Sequence, residues 1–97
     1  MSRPHRPPRR AVVEHDARLD ILCSLHPTEP MGIAQVSSKT GMRPRRATHH
    51  LRILDSFGLV SETDDVEDGQ ALYVTRLKES PAWVTRAVNH HRQARAE

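Results

Sequence analysis

The sequence predicts a small, mainly α domain with one β-hairpin inserted before its last helix (an α+β fold), in the order α-α-α-β-β-α. Three observations carry that reading. Apolar residues recur every three to four positions in four separate stretches, the period of a half-buried helix. Between the third and fourth stretches that period is lost, and VSETDD and QALYVTR flank an Asp-Gly pair suited to a tight hairpin. Punctuation falls where these stretches end, at HPTEP, Gly41, Gly58 and Ser80-Pro81.

Each element has its own justification. MSRPHRPPRR holds three prolines and four arginines with nothing to bury, so residues 1–10 are expected to be a disordered tail and 11–97 the folded domain. AVVEHDARLDILCSL (11–25) suits one helix, its stripe made by Val12, Leu19, Ile21, Leu22 and Leu25. GIAQVSSKT is a short second helix on Ile33, Val36 and Thr40, ended by Gly41. Pro44 opens a third helix, where its missing N–H costs nothing, and that helix runs to about Phe57 before Gly58. Val60–Asp65 and Gln70–Arg76 read as strands joined through Val-Glu-Asp-Gly. Ser80 as N-cap and Pro81 as first residue open the last helix, AWVTRAVNHHRQARA.

Composition narrows the function. A chain of 97 residues is one domain at most. It buries about 60–65 % of its unfolded surface, so its stability is marginal and association with a second copy would help. Aromatics are 3 % of residues, which makes the core small and aliphatic. The single cysteine, Cys23, excludes an internal disulfide and a multi-thiolate metal site in one chain. No apolar run approaches the roughly 18–20 residues that span a membrane, and no signal peptide is visible, so a soluble cytoplasmic protein without membrane partners is expected. The net charge of +3 hides strong segregation. Residues 1–10 carry +4 and 32–58 carry +4, whereas 59–75 carry −5. Two basic blocks and one acidic block bear more on partner choice than the total does.

Helix, helix, tight turn, helix, hairpin, helix is the plan of a winged helix-turn-helix domain, and the turn around Gly41-Met42-Arg43 has the length such motifs use. ATHHLRILDSFGLV resembles the recognition helix of ArsR-type winged-helix repressors. There, a small hydroxyl residue precedes His-His-Leu and the helix closes in Gly-Leu-Val. HDARLDILCSL resembles that family's first motif, and DGQALYVTRL its returning wing strand. The three pieces fall in order across residues 16–77, and MarR-like groups share the architecture. The resemblance implies a transcription regulator, a repressor in the ArsR group, that binds duplex DNA.

The third helix supports this independently. At about 100° per residue, Ala47, Leu51 and Leu54 form the core stripe, and Arg45, His49, Arg52 and Ser56 cluster opposite. A helix in the major groove reads bases with the N-terminal part of its outward face, so Arg45, Arg46, Thr48 and His49 are the candidate base contacts. Arg52, Arg43 and Lys39 are candidate backbone contacts. Three arginines stand at the positive end of the helix dipole with one acid in the whole helix, an arrangement that calls for an outside polyanion. By its angle His50 should be a half-buried packing residue. The resemblance assigns a DNA-face role to His49.

The hairpin departs from the pattern. It holds Glu62, Asp64, Asp65, Glu67 and Asp68 and no cation before Arg76, so it should tilt away from DNA or approach with Gln70 alone. The alternative reading is a protein-interaction module that uses the acidic wing, 61–70. The Arg-Pro tail could reach a minor groove as homeodomain arms do. A two-fold dimer is expected through Val12, Val13, Trp83, Val84, Ala87, Val88 and His91. In ArsR-type metal sensors one site places two cysteines at the start of the second helix. The matching positions here are Gly32 and Ala34, and adjacent His90 and His91 do not give the spacing of the last-helix site. No metal and no cofactor is expected. Nor is catalysis, because no nucleophile stands at a motif spacing from a base and no glycine-rich phosphate loop is present.

Overall fold

The computed structural model describes residues 6–96. Its elements are α1 (Arg10–Val13), α2 (Asp16–Ser24), β1 (Met31–Gly32), α3 (Ile33–Thr40), α4 (Pro44–Ser56), β2 (Val60–Glu67), β3 (Gln70–Thr75), a 3-10 turn (Leu77–Glu79) and α5 (Ala82–Ala96). The expected mainly α architecture with a β-hairpin before the last helix is present.

The first expected helix is two. Glu14 leaves the helical region and His15 is extended (φ −123°, ψ 122°). The break is possible because Arg18 reaches back and donates from Nη1 to the Val12 carbonyl at 3.1 Å, taking the place of a backbone donor. It also turns Val13 fully into the core.

The sheet has three strands in the order β1-β3-β2, not two. The short β1 pairs antiparallel with β3, Met31 opposite Tyr73 and Gly32 opposite Leu72. The β2–β3 hairpin registers Val60 with Thr75 and Glu67 with Gln70, with an irregularity between Glu62 and Val66. Its tip is Asp68-Gly69, both at positive φ (52° and 76°), the geometry of a two-residue primed turn.

Val13, Ile21, Leu22, Val36, Ala47, Leu51, Leu54, Leu59, Val60, Val84 and Val88 are completely buried and form one core. α4 crosses it and is closed at its end by two backbone bonds. Leu59 N–H donates to the Leu54 carbonyl and Gly58 N–H to Asp55, both at 3.0 Å. This is a Schellman ending, with Leu54 and Leu59 as its buried apolar pair.

Residues 6–10 are not a free tail. Arg6 N–H donates to the Ser56 carbonyl at 3.2 Å, and the Arg6 guanidinium lies 5.8 Å from the centre of the Phe57 ring. Arg10 begins α1 and stands 4.9 Å over Trp83. The expectation of disorder for residues 1–5 lies outside the described residues. At the other end of the chain, Ser80 does not cap α5. Its hydroxyl donates to the Arg76 carbonyl at 2.9 Å, and the helix begins one residue after Pro81.

Candidate nucleic-acid interface

α3, the turn and α4 form one rigid unit because two hydroxyls, through three hydrogen bonds, tie it together. Thr40 donates to the Val36 carbonyl at 2.7 Å and accepts from Met42 N–H at 3.3 Å, and Ser37 donates to the Met42 carbonyl. Gly41 makes the reversal at φ 75° and donates its N–H to Ser37 at 2.9 Å. Met42 is buried and pins the turn from inside. Arg43 is extended, as a residue before proline prefers, and Pro44 takes the first position of α4.

That unit fixes which way α4 presents its charges. Ala47, Leu51 and Leu54 face inward, as the angles predict, while Arg43, Arg45, Arg46, His49 and Arg52 are exposed together with Lys39 at the end of α3. Among the described residues, Lys39, Arg43, Arg45, Arg46 and Arg52 have no ion-pair partner. α4 has no side-chain cap and no acid in its first turn. The outward face is therefore cationic, and free to turn its charges to a partner. Thr48 sits on its edge, half-buried, with its hydroxyl donated to the Pro44 carbonyl at 2.8 Å.

Behind this face lies a polar hub that sequence reasoning only half found. His50 is buried, with 5 % of its surface exposed, not half-buried. Its Nδ1 accepts from Arg18 Nε at 3.3 Å, and its ring centre is 5.0 Å from that of His15 and 5.2 Å from that of His49. Burial, and next the neighbouring Arg18 charge, hold His50 down to about 4, so the ring is neutral at pH 7 and serves as an acceptor. His15 Nδ1 is buried without a hydrogen-bond partner among the described residues. One guanidinium thus joins the α1–α2 break to the underside of α4. Nothing in local periodicity signals an Arg18–His50 contact.

The wing is acidic throughout its exposed length. Glu62, Asp64, Asp65, Glu67 and Asp68 are exposed, and so is Val66, at 67 %. Tyr73 donates to Glu62 at 3.3 Å; burial, and then that carboxylate, push its phenol pKa up. Gln70 is exposed beside the tip, opposite Glu67. Arg76, at the base of β3, is spent locally on Ser61 (3.4 Å) and Glu79 (3.3 Å). Arg6 and Arg10 are likewise engaged with the chain's own aromatic rings, so the described part of the tail does not form a free arm.

The expected dimer surface divides in two. Val13, Val84 and Val88 are completely buried within the single chain and belong to its core, so they are not available to a second copy. A stripe read from spacing alone does not say which apolar side chains the same chain will cover. Val12, Trp83, Ala87 and His91 remain partly exposed. Trp83, Ala87 and His91 border an open groove of about 590 Å³ with Arg10, Leu19 and Ala94. His91 bonds to Asp20 at 2.7 Å, and Arg95 holds the same carboxylate at 2.6 and 3.1 Å, which locks α5 to α2. Cys23 is half-buried, its thiol donated to the Val88 carbonyl at 3.6 Å and its pKa raised by burial. No helix among the described residues is long and apolar enough to cross a membrane.

Residues 15–62, which span α2 to the start of β2, match the model of bacterial regulatory proteins of the arsR family. No curated protein matches the chain. Among solved structures, it is similar to a predicted DNA-binding transcriptional regulator from E. coli (22 % identity, TM-score 0.66, 82 % of each chain covered). It is also similar to the homodimeric winged helix-turn-helix DNA-binding domain Mb0332 of Mycobacterium bovis, a possible ArsR-family regulator. There the identity is 24 %, the TM-score 0.56, and the coverage 90 % of this chain and 78 % of the other. A third similar structure is Lactococcus lactis ZitR in complex with DNA (20 % identity, TM-score 0.61, 81 % of this chain and 53 % of the other). At these identities the structural likenesses establish the winged helix-turn-helix fold.

Proposed function

We propose that this chain, a winged helix-turn-helix fold whose residues 15–62 match the arsR-family model, is an ArsR-like transcriptional regulator that binds duplex DNA as a homodimer, with α4 of each copy in a major groove. The observation that carries this is the outward face of α4, whose exposed arginines stand back to back with a completely buried stripe. Arg45, Arg46, Thr48 and His49 face the bases, and Lys39, Arg43 and Arg52 the phosphates. Gln70 is left out of the contact set, because Glu67 and Asp68 flank it with charge of the wrong sign.

The dimer uses Trp83 and Ala87, which line the groove between α1 and α5, together with the partly exposed Val12. The Mycobacterium bovis domain, similar along most of its length, is homodimeric. Two such copies address half-sites about 34–36 Å apart. Bound there, the protein acts as a repressor by occluding polymerase. It works in the cytoplasm as a binding protein, with no catalytic step, metal or cofactor.

The test is fluorescence anisotropy on a mixed pool of duplex DNA across a salt series, beside the Arg45→Ala/Arg46→Ala variant. Affinity should fall steeply with salt, with a log–log slope of roughly −0.9 per phosphate contact, and the variant should bind weakly. Binding indifferent to both arginines would reject α4 as the reader. Sedimentation of Ala87→Glu beside the wild type tests the dimer, which should dissociate in the variant.

A further inference from the structure

We infer that this protein reads guanines from the major groove with Arg45 and Arg46, and that its wing takes no part in minor-groove readout. The inference rests on α4 being the DNA-reading helix and names the sequence class that helix recognises.

Two observations lead to it. Arg45 and Arg46 are consecutive, exposed, and without ion-pair partners among the described residues. About 100° apart on the helix, they diverge towards different base pairs. A guanidinium with two parallel donors matches guanine O6 and N7, and the only other major-groove candidates here, Thr48 and His49, lack that fork. Thr48 has also committed its hydroxyl proton to the Pro44 carbonyl. Two adjacent forks therefore favour operators with guanines in each half-site.

The second observation is the wing's charge. The minor groove is about 6 Å wide and lined on both sides by phosphates. A hairpin entering it would carry Glu62, Asp64, Asp65, Glu67 and Asp68 between those rows, with no cation of its own between residues 59 and 75. Arg76, the nearest cation in sequence, is held at the base by Glu79 and Ser61. With the wing excluded, sequence discrimination falls to the major groove.

Two base analogues separate the grooves. 7-Deazaguanine removes N7 and leaves the minor-groove edge intact. Inosine removes the minor-groove amino group and leaves O6 and N7. An operator is selected from random duplex DNA with the full chain, and each guanine is then replaced in turn. We expect guanines in each half-site, and a loss of about tenfold for 7-deazaguanine at the read positions, the size of one hydrogen bond to a charged group. Inosine should change affinity by less than about twofold. In Arg45→Ala or Arg46→Ala, with folding checked by circular dichroism, 7-deazaguanine at the matching position should have no further effect. Guanine-free half-sites, or sensitivity to inosine rather than 7-deazaguanine, would overturn this inference even though Arg45-dependent DNA binding persisted. Absence of DNA binding at low salt would overturn the proposed function itself.

Discussion

Replacing Gly41 by alanine isolates the geometry of the helix-turn-helix. Gly41 has φ +75°, and a Cβ built there meets nothing within 4 Å. The substitution therefore tests backbone conformation without a clash. Holding an L-residue in the left-handed region costs about 1–2 kcal/mol. Alanine also restricts the unfolded chain, which offsets roughly 0.4–1 kcal/mol of that. The net loss is about 1 kcal/mol, equivalent to a fall of about 4–8 °C in Tm for a domain of this size. Urea denaturation at pH 7 should show a lower midpoint with an unchanged m-value, and Gly41→Asn should lose less, since asparagine tolerates this region better. DNA affinity at 15 °C should also fall, because the strain is relieved by shifting α4 relative to α3. If Gly41→Ala were neutral or stabilising, the turn would not need a left-handed residue, and the rigid-unit account of α3 and α4 would be refuted.

Further expectations bear on the core, the polar hub and the wing. Leu54→Ala removes a completely buried side chain at the end of α4 and should cost about 3–4 kcal/mol in urea denaturation, whereas a loss under 1 kcal/mol would contradict its burial. His50 takes up its proton near 6.5 when unfolded but near 4 when folded, so the unfolded state binds more protons between those values. Stability should fall by at most about 3 kcal/mol as pH drops from 6.5 to 4 and then level off. His50→Gln should flatten that profile, and a flat wild-type profile would sink the account. Neutralising the wing (Asp64→Asn, Asp65→Asn, Glu67→Gln, Asp68→Asn) should tighten DNA binding about threefold at 0.1 M salt. This takes each carboxylate at about 10 Å from a phosphate to be worth roughly 0.15 kcal/mol after screening. Unchanged or weaker binding would mean the wing is too remote to matter, or contributes favourably.

What the sequence made legible was local. The inward and outward faces of α4 follow from angular position, the hairpin from Asp68-Gly69, and the turn from Gly41, because each depends on a few consecutive residues. What it hid depends on partners far along the chain. The break at Glu14-His15 requires the Arg18 side chain as a substitute donor. The two-residue β1 exists because β3, some 40 residues later, offers an open edge. Residues 6–10 look disordered by composition, yet Arg6 and Arg10 find the rings of Phe57 and Trp83. On α5, spacing marked Trp83, Val84, Ala87 and Val88 as apolar without saying that Val84 and Val88 would face α2 and the core.

The three arginines at the start of α4 remain the least ordinary feature of the chain, and their energetics separate function from stability. Each cation in the first turn of a helix opposes the dipole by about 0.3–1 kcal/mol, and here no acid in that turn compensates. Arg43, Arg45 and Arg46 also repel one another. The helix tolerates this because its other face is anchored by Ala47, Leu51 and Leu54 and by the Schellman ending. Side chains kept for folding should lower stability when removed. These should do the reverse. Arg45→Ala/Arg46→Ala should raise the urea midpoint of the free protein by an amount equivalent to about 0.5–1.5 kcal/mol, because alanine is also the better helix former. The same variant should lose DNA affinity by more than tenfold. Stabilisation together with lost binding would identify the arginines as a functional charge held against the helix's own preference. A destabilised variant would show instead that they serve the fold.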